Sequence, residues 1–473
     1  QLTKWQNGTP ELAALSISLV HADQHAVVFR PNDENEIVIG NDGGIYYSDN
    51  IQVAEFNSNA IEPRDKEYNT VQFYFGAIDL TGDSFGGGTQ DNGTPIVLGA
   101  SEGANPFSDY FGGDGAYTEI NADDGYMIQS YYYNNHRWVN YPEINQAYDI
   151  TTVKTDENYN GSFINIAELD RNHNILYSNA TLGNNYRIEK VTNFLNGAEN
   201  IESEFLNHPS LNDSPSAMKS SRFAEETSNL YIGTKNGRLL RVVIDGSSKA
   251  WSEITGPGFV GSISDIEFGE SELDIFVTFH NYGINNIWAT NDGGSSWRNI
   301  EGNLPDLPVK CILQNPLEPT ELIIGTQLGV WITQDYTVTN PVWNQSYNGM
   351  KDVPVVDLDL RPSDNLVLAT THGRGMFTSN FTSNSLGIED YQANRNKITI
   401  FPTVNNGELF LKSNRVSGNA LVQVYDISGK RLLTRHENLS INPTRVAFKL
   451  SSGLYFVNIT VDNYIETKRI IVQ

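Results

Sequence analysis

Short runs of apolar, β-branched and aromatic residues, broken by turn residues every few positions, fill the chain up to about residue 380. Residues 21 to 49, HADQHAVVFRPNDENEIVIGNDGGIYYSD, set the plan. Gln24 to Phe29 reads as a strand closed by Arg30-Pro31, and Glu36 to Gly40 as a second. Asn41-Asp42-Gly43-Gly44 reads as a turn needing positive φ, and Ile45 to Ser48 as a third strand. Such an antiparallel meander is too small to cover its own faces, so it must stack on copies of itself. The copies are present. First-strand signals begin near Gln24, Gln72, Ala116, Ser162, Ala217, Ser262, Val309 and Val355, roughly 45 to 50 residues apart. Second strands follow each time, among them YMIQS at 126, NLYIG at 229, DIFVT at 274 and ELIIG at 321. Third strands come after Gly-rich turns, as in GVWIT at 329 and GMFTS at 375, and the clearest outer strands carry Trp251, Trp297 and Trp343.

This period fits a four-stranded propeller blade, and helical periodicity is almost absent. The last unit stops at Ser379 without a Trp-bearing outer strand, while Lys4-Trp5-Gln6-Asn7-Gly8 matches the missing piece. The expectation is therefore an all-β, eight-bladed β-propeller closed by the N-terminal strand, or a seven-bladed one if a unit between 116 and 200 is irregular.

A chain of 473 residues, 39% hydrophobic and 11% aromatic, is long enough for two domains with sizeable cores. The net charge of -26 excludes general affinity for nucleic acid, whose phosphates it would repel. That charge is uneven: from residue 389 onward about 11 Lys/Arg face about 7 Asp/Glu, leaving about -30 on the preceding part and about +4 on the tail. The shift marks a boundary, with a body at 1–380, a polar linker at 381–396 and a C-terminal domain at 397–473. The lone cysteine, Cys311, sits in an apolar strand run and reads as a core residue. No apolar stretch is long enough to span a bilayer and no signal peptide is visible, so a soluble, processed chain is expected.

Residues 290 to 297, TNDGGSSW, resemble the Asp-box (BNR) repeat, in which the aspartate ties a hairpin between third and fourth strands and the tryptophan packs beneath it. Asp292 and Trp297 are then fold residues. NDGG at 41 lies instead between second and third strands. In a propeller those turns and the starts of first strands share one face, the usual binding face around the channel. Topology gathers there His21, Asp23 and His25, which alternate along one extended segment, with Asp42, Gln90, Asp91 and Asn92 of GGTQDNGT, Asp114 of GGDGAY, and His372 and Arg374 of TTHGRG. The combination, over about residues 20 to 380, looks like sortilin-like or xyloglucanase-like propellers of bacterial surface proteins.

Three chemistries suit these residues. His21, Asp23 and His25 could ligate a divalent metal, calcium or a transition metal, with Asp42, Asp91 or Asp114 completing the shell; the plainer alternative is that they satisfy loop backbone. Asp42 and Asp114 could act as the paired carboxylates of a glycoside hydrolase, as the xyloglucanase resemblance implies, although such enzymes generally pair two propellers. Without catalysis, the same face could bind a glycan or a protein partner, with Tyr131, and the neighbouring Tyr133, His136 and Trp138, offering rings to sugars. Phe29-Arg30-Pro31 is similar to a sialidase arginine motif but lacks its Ile, and Arg30 also reads as a strand end before proline.

The tail holds about seven strand signals, with hairpin turns at Asn406-Gly407 and Ser428-Gly429, and predicts a small β-sandwich. Phe401-Pro402, Val424-Tyr425-Asp426, Gly429-Lys430, the run LSSGLYF at 450 to 456 and the terminal Lys468-Arg469-Ile470-Ile471-Val472 resemble the type A C-terminal sorting domain of the type IX secretion system of Bacteroidota. The usual Y-P-N-P opening is here F-P-T-V. The resemblance implies export by the type IX machinery through residues 397–473 and an extracellular or outer-surface destination. A non-catalytic binding propeller is the favoured expectation, and a polysaccharide-active enzyme the second.

Overall fold

A computed structural model describes residues 2–4, 6–7, 9–65, 68–151, 160–346, 349–350, 352–383, 398–413, 418–426, 429–440, 442–461 and 464–473. Strands hold 48% of the chain and helix 3%, which settles the fold class as all-β. The chain divides into two compact units, residues 1–383 and 384–473.

Among the described residues of the first unit, seven four-stranded sheets and one three-stranded sheet are each hydrogen-bonded in chain order, the antiparallel meander that the turn residues dictate. Second strands run Asp33–Asn41, Phe85–Gly86, Tyr126–Ser130, Ile175–Asn179, Ser228–Thr234, Ile275–Phe279, Leu322–Thr326 and Leu366–Thr371. Each lies where the apolar run and following turn put it. Most are buried throughout, because a strand inside a stacked sheet is covered on both faces.

The first strands of neighbouring sheets lie side by side. Thr118–Asn121 packs beside Ala77–Ile78, and Pro215–Ser220 lies between Ala167–Asp170 and Ile263–Phe268. Val309–Gln314 and Val355–Arg361 continue the series, and the last of these returns to Ala77–Ile78. Thr118–Asn121 reaches Ala167–Asp170 through Tyr117, whose hydroxyl accepts from the Leu169 N–H at 3.0 Å. The return is hydrogen-bonded: Phe73 N–H donates to the Thr371 carbonyl at 3.2 Å, Gly76 N–H to Asp357 Oδ2 at 3.0 Å, and Gln72 bridges His372.

Two expectations are corrected. Gln24–Arg30 is exposed along its whole length, with Val27, Val28 and Phe29 at 53%, 62% and 52%, so it does not serve as an inner strand. Its sheet instead has a small core of its own, built from Val20, Ile37, Ile39, Ala54, Ala60 and Ile61. The N-terminal strand Thr3–Lys4 pairs in parallel with Ser18–Leu19 and leaves the last sheet three-stranded among the described residues. Lys4 Nζ donates to the Leu12 and Leu15 carbonyls, in and just after the short helix Pro10–Ala13, and these local contacts hold the segment beside that helix. Trp5 lies outside the described residues.

At 290 to 297, Asp292 Oδ1 accepts from the Thr290 hydroxyl at 2.7 Å and the Ser296 N–H at 2.8 Å, and Oδ2 from the Ser296 hydroxyl at 2.6 Å. These donors hold its carboxyl down to about 2. Trp297 Nε1 donates to the Ile254 carbonyl of the preceding sheet at 2.8 Å. Trp343, 1% exposed, fills the next interface and donates to the Ile300 carbonyl at 3.0 Å.

The second unit has a three-stranded sheet, Ile398–Phe401, Glu408–Ser413 and Thr444–Ala447, and a five-stranded one. In the latter, Val404–Asn405 joins Tyr464–Val472 in parallel, followed by Gly453–Val461, Gly418–Asp426 and Arg431–Leu439. Ile400, Leu409, Leu411, Val422, Val457 and Ile459 share one core between them.

Trp343→Ala is expected to cost about 3–5 kcal/mol, because the indole leaves a cavity that rigid strands cannot close. Denaturant unfolding measures this. The contribution of Asp292, whose carboxyl is depressed on folding, is fully present above its ordinary value and lost as pH falls toward about 2; Asp292→Ala should therefore lower the melting temperature at pH 7 more than at pH 2.

Candidate functional site

Four separate loops meet around Asp91. The turn at 90–93 joins a second to a third strand and is held against the segment 111–116. Gly93 N–H donates to the Gly113 carbonyl and Gly115 N–H to the Thr89 carbonyl. Gly93, at φ +63, could not carry a side chain, since a Cβ there would lie 1.2 Å from the Phe111 carbonyl oxygen. Asp114 Oδ1 consequently accepts from the Asp91 N–H at 3.2 Å. Toward the first sheet, Asn92 Nδ2 donates to the Asp42 carbonyl at 2.9 Å, and His21 Nε2 stands 2.9 Å from the Asp91 carbonyl oxygen. His25 Nε2 lies 2.5 Å from Asp42 Oδ1. Gln90 N–H donates to the Gln72 carbonyl, and Gln72 bridges His372. The His372 ring packs 5.4 Å from that of Tyr74, with Nδ1 3.0 Å from the Phe73 carbonyl oxygen.

Electrostatics ties the group together. Burial raises the Asp91 carboxyl above its ordinary range, and the negative charges of Asp114 and Asp42 raise it further. Burial likewise raises Tyr74, with Asp114 and Asp91 adding to it. Tyr74 was not singled out in the sequence. It stands two residues from Gln72, where a first-strand signal begins, and that position was its only signal.

The predicted residues do not all converge. Asp23 takes a left-handed backbone at φ +59, and the strand starts only at Gln24, so the alternation expected to align His21, Asp23 and His25 is broken. His21 turns to Asp91, His25 to Asp42, and Asp23 is exposed. Among the described residues no group of three His, Cys, Asp or Glu side chains is arranged to hold a metal ion. Arg374 is exposed, while Tyr131 packs against Gly113 beside Asp114. His136 is buried between Ser130 and Asn134, its ring held neutral by burial with its pKa down to about 3. Trp138 stacks on Tyr148 at 4.8 Å; both belong to the core and not to a sugar platform. Arg30 pairs with Glu36 at 2.6 Å at its strand end.

A second site escaped the sequence reading. At the opposite end of the strands, where first strands turn into second strands, a cavity of about 540 Å³ is lined by Tyr117, Glu119, Glu168, Lys219, Glu267 and Asp359. The signal was present: a charged residue stands one or two places before the last residue of five first strands. Lys219 Nζ lies 2.7 Å from Glu267 Oε2, and Arg222 Nη1 2.8 Å from Oε1. Burial opposes the Lys219 ammonium, yet Glu267, Glu168 and Asp265 outweigh it and hold the group above its usual range. Burial pushes the carboxyls of Glu168 and Asp265 up to about 7, despite Lys219 close by, and raises Asp359 well above its ordinary value.

Groups with raised acid pKa values stabilise the fold below their unfolded values and lose that contribution as pH rises through the folded ones. For Glu168, shifted from 4.5 to about 7, the loss is on the order of 3 kcal/mol. Unfolding free energy measured from pH 4.5 to 8 should therefore fall with rising pH, and Glu168→Gln should flatten that slope.

No curated protein matches the chain. No helix among the described residues is long and apolar enough to cross a membrane. Residues 399–473 match the family model described as the secretion system C-terminal sorting domain, so the chain carries the tail of a type IX secretion substrate and is a secreted or outer-surface protein handled by that machinery.

Proposed function

We propose that residues 1–380 form the cargo, tethered through 381–396 to the sorting domain, and that the cargo is a surface-exposed glycan-binding propeller. In this reading the seven sheets from Ala77–Ile78 onward close as a seven-bladed ring, with the sheet of residues 24–63 standing beside it. The return of Val355–Arg361 to Ala77–Ile78 supports the closure, and the exposure of Gln24–Arg30 supports leaving its sheet outside.

One observation carries the functional reading: Asp42, Asp91 and Asp114, from three loops, come together at one end of the strands, where Asp114 accepts from the Asp91 N–H and the neighbouring Asn92 side chain donates to the Asp42 carbonyl. Carboxylates are acceptors when ionised, and sugar hydroxyls are donors. Aromatic rings flank them, with Tyr131 against Gly113 and Tyr132 parallel to Phe163 at 5.7 Å, both exposed. Such rings suit the C–H faces of a sugar. In a screen of purified wild-type protein against a panel of oligosaccharides, binding should appear, and Asp114→Asn with Tyr131→Ala should weaken it at least tenfold. Failure to bind any glycan, or equal binding by the variant, rejects the reading.

A second reading rests on the surroundings of one carboxyl. Burial raises Asp91, and the charges of Asp114 and Asp42 raise it further, the surroundings in which a carboxyl can serve as a general acid beside a second carboxyl. Here Asp91 stands in place of Asp42 in the carboxylate pair, Asp42 and Asp114, that the sequence suggested. Under this reading polysaccharide cleavage occurs and falls by two orders of magnitude or more in Asp91→Asn, with KM little changed.

A further inference from the structure

The five-stranded sheet of the second unit has one face against the shared core and one face bare. Along Gly453–Val461, Tyr455, Val457, Ile459 and Val461 point inward, as do Ala420, Val422 and Val424 of the neighbouring strand. Alternation puts Leu454, Phe456, Tyr425 and Ile471 on the opposite face. The register makes these one patch: Leu454 pairs with Ile471, and Phe456 sits between Tyr425 and Arg469. Leu454 and Phe456 are 37% exposed and Ile471 43%, while Arg469 at the patch edge is also exposed.

A solvated sheet face carries polar residues by default, and adjacent large apolar side chains on it mark an interaction surface. The sorting-domain match says what class of partner this unit meets: a component of the secretion machinery. The charge says more. From residue 389 the chain carries about +4 against about -30 before it, and Arg469 closes one side of the patch. A partner apolar at its centre and carboxylate-bearing at its rim would match both.

We infer that the outer face formed by Tyr425, Leu454, Phe456, Arg469 and Ile471 is the surface by which the type IX machinery takes hold of this chain, through an acidic-rimmed apolar site on one of its components. The inference rests on the sorting-tail reading. None of these side chains belongs to the shared core except at its margin, so polar replacements there separate recognition from folding.

The test is export of the full chain from a bacterium carrying the type IX apparatus, with outer-surface and periplasmic fractions quantified by immunoblot. Phe456→Ser with Ile471→Ser is expected to lower export at least tenfold, and Arg469→Glu severalfold. Arg445→Glu, in the other sheet, should leave export unchanged. Circular dichroism melting of each purified variant reports folding. If the double variant fails to fold, Arg469→Glu and Leu454→Ser decide the matter, since both lie at exposed positions. Wild-type export by folded face variants overturns the assignment. Deleting residues 398–473 keeps the two readings apart: export surviving the deletion overturns the sorting role itself, whereas export lost on deletion but untouched by the face variants overturns only this surface.

Discussion

A four-stranded meander has two apolar faces and can cover neither. That deficit governs the first unit of this protein. From Ala77–Ile78 onward each sheet is covered by the sheets beside it, so the cores lie between sheets: Trp343 and Ile300 fill one such gap, and Phe259, Phe279 and Trp288 another. Stability is thus held in interfaces between repeated modules, and a residue's importance follows from which interface it fills.

Crowding first strands together has an electrostatic cost. Every second side chain on these strands faces its counterparts from neighbouring sheets, and several are acidic. One ammonium, Lys219, sits among Glu168, Glu267 and Asp265, and Arg171 and Arg222 bind Glu119 and Glu267. The remaining carboxyls meet burial by retaining their protons near neutrality. The same meander sends the turns between second and third strands to the other end, where Asp42, Asp91 and Asp114 stay wetter and are linked through backbone groups.

Strand positions were legible because they depend on local information. EIVIG, YMIQS, NLYIG and ELIIG each combine an apolar run with a following turn, and each becomes a second strand. The meeting of Asp42, Asp91 and Asp114 was legible for a related reason, since a residue's place in the meander decides the end at which it emerges. What covers a strand is not local. Gln24–Arg30 has the letters of an inner strand and none of its neighbours. Lys4 matched an outer strand, but nearby carbonyls of Leu12 and Leu15 captured its ammonium. His21, Asp23 and His25 had the spacing of one strand face, and the left-handed backbone of Asp23 breaks that alternation. The charged lining of the cavity was visible only as ordinary polar alternation until the first strands were set side by side.

Gln24–Arg30 is a first strand open to solvent on both faces, carrying Val27, Val28 and Phe29. Among the described residues its only strand partner is Asp33–Asn41, so no other described strand claims its outer row of amides and carbonyls. An edge of that kind is a template to which any passing extended segment can add itself. During passage through an outer membrane and at a crowded cell exterior, this early hairpin is therefore a region open to unwanted strand exchange.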